Sequence, residues 1–232
     1  MKIGILQAGH SPEEIHATQG DFDAMFARLL DGHDFAFTSY DVENMQFPAS
    51  VHAQDGWLIT GSKHGAYEDH AFIAPLERFI RDAHAADIPL VGICFGHQIV
   101  AQALGGTVVK FPDGWALGRT EYDLKDGTRL MLNAWHQDQV TALPDGAETL
   151  ASNAFCENAI VAYGRQAFTV QPHPEFDNSL LTDYVAMRRG TGTYPDDRMQ
   201  AAADGTAHPV DNAAIGTAIA RFFRTRQARV DT

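Results

Sequence analysis

Cysteine, positive charge and long apolar runs are all in short supply, and each shortage excludes something. Two cysteines, Cys94 and Cys156, in 232 residues cannot form a disulfide framework, and their scarcity fits a reducing cytosol. Lysine and arginine together number 17 against 30 aspartates and glutamates, a formal net charge of −13. That balance argues against a nucleic-acid or anionic-membrane partner, because phosphate binding needs a basic face. The densest basic stretch, residues 221–229, ends a helical pattern and is expected to be solvated. No apolar run reaches transmembrane length. The opening Met1-Lys2-Ile3-Gly4-Ile5-Leu6 is too short for a signal peptide and is broken by Gln7-Ala8-Gly9-His10. No Gly-x-x-x-x-Gly-Lys phosphate loop occurs, and residues 4–9 lack the three-glycine dinucleotide fingerprint. The expectation is a cytoplasmic protein with no membrane or nucleic-acid partner.

What is present is an ordinary globular composition, 45% apolar and 20% charged. Strands are predicted at 3–6, 35–40, 57–60 and 89–93, and helices at 22–30, 71–86 and 98–104. This βα rhythm implies an α/β fold: a mostly parallel sheet with helices on both faces. From 107 to about 170 the texture changes. Short runs rich in Val, Thr, Tyr and Leu are split by Asp113-Gly114, Asp126-Gly127 and Pro144-Asp145-Gly146, the pattern of an antiparallel extension. Helices are predicted again at 179–189 and 212–226, joined by a flexible connection across 190–209. One domain spanning 1–232 is the expected organisation.

The most informative stretch is Leu90-Val91-Gly92-Ile93-Cys94-Phe95-Gly96-His97-Gln98, an apolar strand running into Gly-x-Cys-x-Gly and then a helix. This is the sulfur version of a nucleophile elbow. A nucleophile at the tip of so tight a turn needs neighbours without side chains, which Gly92 and Gly96 supply. The turn places the thiol at the carboxyl edge of the sheet and at a helix amino terminus, where partial positive charge favours the thiolate. A buried structural thiol is the alternative for Cys94. It is the preferred reading for Cys156, which has no glycine pair and no following helix.

A thiolate nucleophile needs a histidine to activate it and to protonate the leaving amine. Of 11 histidines, His173 stands out in Val170-Gln171-Pro172-His173-Pro174-Glu175, just past an apolar run and pinned between prolines. Glu175 could hold the far ring nitrogen and set the tautomer. The competing readings are a rigid turn with an exposed imidazole, and His97 as the base.

The Gly-x-Cys-x-Gly-x-Gln turn and the distant His-Pro-Glu resemble the class I glutamine amidotransferases, cysteine glutaminases that supply ammonia to biosynthetic enzymes. The form most resembled is a free-standing glutaminase domain like that of GMP synthase. Three further landmarks fall in order: Thr60-Gly61-Ser62, Ala103-Leu104-Gly105-Gly106, and Trp135-His136-Gln137-Asp138-Gln139-Val140 before Leu143-Pro144. The resemblance implies that the Gly61 and Phe95 amides form an oxyanion hole, whose donors are worth roughly 3 kcal/mol each. It also implies that Gln98 helps hold the γ-glutamyl group, or else serves as a structural first-turn residue. Main chain around His136, Gln137 and Asp138 would bind the α-amino and carboxylate ends. Two positions depart from the family pattern: Lys63-His64-Gly65 stands where a proline is usual, and Pro172 where an aromatic is frequent.

No metal or organic cofactor is expected. His64, Tyr67, Glu68, Asp69 and His70 match no zinc or calcium template and read as a solvated polar loop. No synthetase segment is expected after Arg226. The resemblance therefore implies hydrolysis of glutamine, or of a γ-glutamyl conjugate, with ammonia passed to a separate ATP-dependent synthetase. The alternatives are a stand-alone γ-glutamyl peptidase, like the plant enzymes that share the Cys-Phe-Gly-His-Gln run, and a non-catalytic binding protein of the same fold.

Overall fold

In the computed structural model, which describes residues 1–231, the four runs predicted as strands before residue 94 all become strands of one sheet. The amino-terminal half supplies β1 (Lys2–Gln7), β2 (Ala36–Asp41), β3 (Gly56–Ile59) and β4 (Leu90–Ile93). The later chain adds β5 (Thr107–Lys110), β6 (Ala116–Leu124), β7 (Arg129–His136), β8 (Asp138–Ala142), β9 (Ala147–Ser152), β10 (Ile160–Tyr163) and β11 (Ala167–Val170). The nine-stranded sheet runs β2-β1-β3-β4-β11-β10-β9-β6-β7, and β5 pairs with β8 in a separate ribbon.

The parallel part is β2-β1-β3-β4-β11 and the antiparallel part runs from β11 through β10, β9 and β6 to β7. Two expectations for 107–170 therefore change. β11 belongs to the parallel set, paired with β4, and β5 and β8 leave the main sheet. Turn spacing announces antiparallel hairpins but carries no information about which distant strand the last run will join.

The helices are α1 (Glu13–Gln19), α2 (Phe22–Leu29), α3 (Ile73–Ala85), α4 (Phe95–Ala103), α5 (Asn178–Arg188), α6 (Asp196–Gly205) and α7 (Asn212–Thr225). Strand side chains alternate between the two faces. Ile3, Ile5, Leu58, Val91 and Ile93 pack with Phe22, Phe26, Ile219 and Phe222 of α2 and α7. Leu6, Trp57, Ile59 and Leu90 pack with Leu76, Phe79, Ile80 and Ile99 of α3 and α4 on the other face. Both faces are covered, so the central strands carry near-continuous apolar runs. None of the described helices is long and apolar enough to cross a membrane.

The connection expected to be flexible across 190–209 instead contains α6, as part of a docked segment. Met199 and Ala202 pack with Leu117, Leu181 and Val185. Gly118, at φ +79°, lies so close to α6 that a Cβ there would sit 2.6 Å from the Ala202 Cα. Carbonyls of the segment accept from Arg119 Nε (2.9 Å, at Pro209) and Asn178 Nδ2 (2.7 Å, at His208). Its polar composition concealed a helix that presents only one narrow strip of small and apolar residues. The short α1 was not foreseen either, because it buries a single residue, Ile15.

Candidate active site

β4 and β11 are neighbouring parallel strands with Ile93 opposite Val170. Their carboxyl ends therefore deliver Cys94 and His173 to the same edge of the sheet, where open α/β sheets place their sites. The Cys94 amide donates to the Val170 carbonyl at 2.9 Å, which ties the turn to the strand that leads to His173. Cys94 has φ +52° and ψ −103°, a conformation L-residues rarely adopt. Strain of this kind costs about 1–3 kcal/mol and persists only where surrounding contacts enforce it. Here the enforcement is steric: a Cβ at Gly92 would lie 2.3 Å from the Gly96 carbonyl oxygen, and one at Gly96 would lie 2.3 Å from that of Ile59.

α4 begins at Phe95 rather than Gln98, so Cys94 is its N-cap. The first turn is buried on all sides and shows no amphipathic spacing, which is why periodicity finds the helix late. The sulfur sits at the positive end of the helix dipole.

Two backbone donors near it are left, among the described residues, without a backbone acceptor. The Thr60 carbonyl accepts from Gly96 N (3.1 Å) and the Cys94 carbonyl accepts from Gln98 N (3.0 Å). In a trans peptide the N–H points opposite to the C=O. The Gly61 and Phe95 N–H groups are thus held facing away from those bonds, and among the described residues neither has a backbone acceptor. A Cβ at Gly61 would stand 3.1 Å from His173 Cε1 and 3.9 Å from Cys94 Cβ, so imidazole and thiol flank this one glycine. Gly61→Ala is expected to push the ring by a few tenths of an ångström and lower kcat about 10- to 100-fold. The melting temperature should stay close to wild type. Unchanged kcat in a folded variant would count against the placement.

His173 is clamped on every side. Its Nδ1 lies 2.7 Å from Glu175 Oε1, so Nδ1–H donates to the carboxylate and Nε2 is left for the sulfur. Its backbone N–H donates to the Asn133 carbonyl at 2.8 Å. The Phe176 ring stacks on the imidazole at 4.2 Å and 22°. Burial by itself disfavours the charged ring, but the Cys94 sulfur and then Glu175 outweigh it and lift the His173 pKa from 6.5 to about 10. A folded-state value above the unfolded one means that this group stabilises the protein fully below pH 6.5 and loses that contribution as pH rises through about 10. Imidazole NMR titration of Cys94→Ala should therefore give a His173 pKa below the wild-type value, since the sulfur's contribution is gone. An unshifted value would refute the coupling.

The other expected residues fall as follows. Gln98 is 3% exposed, and its amide nitrogen donates to the Asp138 carbonyl (3.0 Å) and Gln171 Oε1 (3.2 Å). It is a strut between α4 and β8 as well as part of the pocket lining. His136 is buried and its pKa falls to about 3, chiefly from burial; its Nδ1 lies 3.2 Å from the Asp138 carbonyl. Gln137 donates to the Phe111 carbonyl at 3.2 Å. Asp138 accepts from the Tyr67 hydroxyl at 3.1 Å, a contact that joins the 60–70 loop to β8. His97 is buried, bonds Thr169 Oγ1 at 2.7 Å, and is pushed down to about 3 by burial, which makes it a weak base. Burial also pushes the Cys156 thiol up to about 12.

The 64–70 loop is more organised than a set of solvated side chains. His64 pairs with Glu43 and His70 with Glu68, each at 2.8 Å, and Lys63 also reaches Glu43 at 3.2 Å. Sequence reasoning placed Tyr67 in a solvated loop and missed Phe176, Tyr184 and Tyr194; all four line the pocket with Cys94 and His173. Tyr194 fell in the stretch read as flexible. Phe176 was legible as the neighbour of Glu175.

The chain has known relatives. The model of the glutamine amidotransferase class-I family matches residues 35–187. A glutamine amidotransferase-like protein of Schizosaccharomyces pombe is 31% identical over 95% of this chain and 98% of that protein. Gamma-glutamyl peptidase 4 of Arabidopsis thaliana is 28% identical over 72% of this chain and 73% of the relative. In fold, a crystal structure of a glutamine amido transferase from Methylobacillus flagellatus matches with a TM-score of 0.78 at 21% identity, covering 97% of this chain and 93% of that one. The chain belongs to the class I glutamine amidotransferase family.

Proposed function

We propose that the chain, acting as one domain, hydrolyses the γ-amide of glutamine or of a γ-glutamyl conjugate through a Cys94 thioester. The observation that carries this reading is the buried His173–Glu175 pair at 2.7 Å beside a strained thiol, with two unpaired backbone donors next to it. Each part has one task. The Cys94 thiolate attacks the amide carbon while Gly61 and Phe95 N–H receive the developing oxyanion. The C–N bond breaks as His173 gives its proton to the departing nitrogen. Water, deprotonated by His173, then adds to the thioester; glutamate leaves and the sulfur is restored. Glu175 orients the ring and stabilises its cation. Gln98 and the main chain of 136–138 form the polar half of the pocket and suit the glutamyl portion. Two free cysteines fit a reducing cytoplasm.

Delivery of ammonia to a separate ATP-dependent synthetase is the second reading, favoured by the family to which the chain belongs. The test is glutamate release from glutamine and from γ-glutamyl amines, with intact-mass detection of a glutamyl adduct on Cys94 after rapid quenching. Turnover of γ-glutamyl amines by the chain alone supports the peptidase form. Stimulation of glutamine hydrolysis by an added synthetase supports the ammonia-donor form. No Cys94-dependent glutamate from any of these substrates would remove both.

A further inference from the structure

The pocket that holds Cys94 and His173 encloses about 530 Å³. That lies within the roughly 300–1,000 Å³ typical of sites for drug-sized ligands and exceeds what an amino acid needs. Its two halves differ in chemistry. Gly65, Tyr67, Gln98 and Asp138 make one side polar. The other side is a continuous aromatic row that begins at the catalytic imidazole. Phe176 stacks on His173; Tyr184 lies 4.9 Å from Phe176, Trp135 5.5 Å from Tyr184, Tyr194 5.2 Å from Trp135, and Trp115 4.7 Å from Tyr194.

Phe176 and Tyr184 are buried, but Trp115, Trp135 and Tyr194 remain partly open to the pocket. The Trp135 indole N–H donates to the Tyr194 hydroxyl at 3.2 Å, which fixes the two rings against each other within the row. The row is held in place by design of the fold: Tyr194 precedes α6, which Gly118 lets dock tightly against β6. Ammonia has no use for such a surface. Apolar rings left facing water in a concave site are stabilised when a ligand covers them.

The direction of the row decides which part of a substrate meets it. His173 must stand next to the departing nitrogen to protonate it, and the row leads outward from that same ring. Whatever is attached to the nitrogen therefore lies along the aromatic side. We infer that the site takes γ-glutamyl amides whose amine portion carries an aromatic ring, packed against Trp135, Tyr194 and Trp115. This rests on the Cys94 hydrolase reading and deepens it by naming the leaving group. The chemistry is unchanged: the Sγ–C bond forms, the C–N bond breaks, and the His173 proton leaves on the aromatic amine.

The test compares γ-glutamyl-benzylamide with γ-glutamyl-cyclohexylmethylamide and γ-glutamyl-propylamide. Wild type should favour the benzylamide in kcat/KM by at least about tenfold over the propylamide and by about threefold over the saturated ring, the range that aromatic contacts supply. Trp135→Leu and Tyr194→Leu should bring both ratios close to one, and Trp135→Phe should keep them. The ratio is the readout, so a general loss of activity, which scales all three substrates alike, does not move it. Equal rates in wild type, or ratios unmoved by the leucine variants, would overturn the inference. If wild type hydrolyses none of the three, calorimetric binding to Cys94→Ala decides the matter separately. Tighter binding of the benzylamide would keep the aromatic site, with the hydrolase reading then decided by glutamine turnover; equal binding would remove the aromatic site.

Discussion

Cys94→Ala and Cys94→Ser are each expected to lower kcat/KM for γ-glutamyl amide hydrolysis by at least about a thousandfold, because no covalent intermediate can form efficiently without the sulfur. The fold should survive. Alanine and serine carry the same Cβ as cysteine, so the strain at φ +52° is neither added nor relieved. The site is 6% exposed and loses one small group, for a stability change of about 1 kcal/mol or less. Glutamate release under saturating substrate, measured beside circular dichroism melting, checks both halves. Activity within tenfold of wild type in either variant would mean that hydrolysis does not pass through Cys94, and Gly61, Phe95 and His173 would need another explanation.

Gly96→Ala has the largest expected effect on stability. The new Cβ would meet the Ile59 carbonyl oxygen at 2.3 Å and its carbon at 2.9 Å. Both are backbone atoms of a central strand with neighbours on each side. Nothing flexible can yield, so α4 must move away from β3. That movement breaks the Gly96 N to Thr60 carbonyl bond (3.1 Å), which aims the Gly61 amide. A loss of about 3 kcal/mol or more is expected in chemical denaturation, together with loss of activity in whatever fraction stays folded. Gly127→Ala is the control. It too has a positive φ, +85°, but a Cβ there meets nothing within 4 Å. Its cost should be confined to the left-handed backbone, about 1–2 kcal/mol. Equal costs at the two positions would show that close packing at the elbow is not what demands glycine.

The difference between these two glycines marks how far sequence reading reaches. Gly127 follows an aspartate between two strand patterns, and the turn is legible from the pair alone. Gly96 was legible only as part of a five-residue pattern, since its need arises from Ile59, on a strand far away along the chain. The same limit explains the errors. α6 was missed because its partner, Gly118 on β6, is remote in sequence. β11 was grouped with its hairpin neighbour β10 because local turns announce antiparallel pairs, while its second neighbour, β4, is set by the whole sheet. Gln98 was read both as a substrate contact and as a structural first-turn residue; its amide nitrogen donates to the Asp138 carbonyl and Gln171 Oε1, and the residue also lines the pocket.

By itself the sequence determined the chemical vocabulary: a thiol between two glycines, a histidine between prolines with a carboxylate two residues on, and strands apolar enough to be buried on both faces. Those are local properties, set by residue type and spacing. Only the tertiary structure decided that β4 and β11 lie side by side, so that thiol and imidazole meet, and that a segment past residue 190 folds back to complete an aromatic wall. Local spacing cannot encode such meetings, because they depend on which surfaces bury one another once the chain is compact.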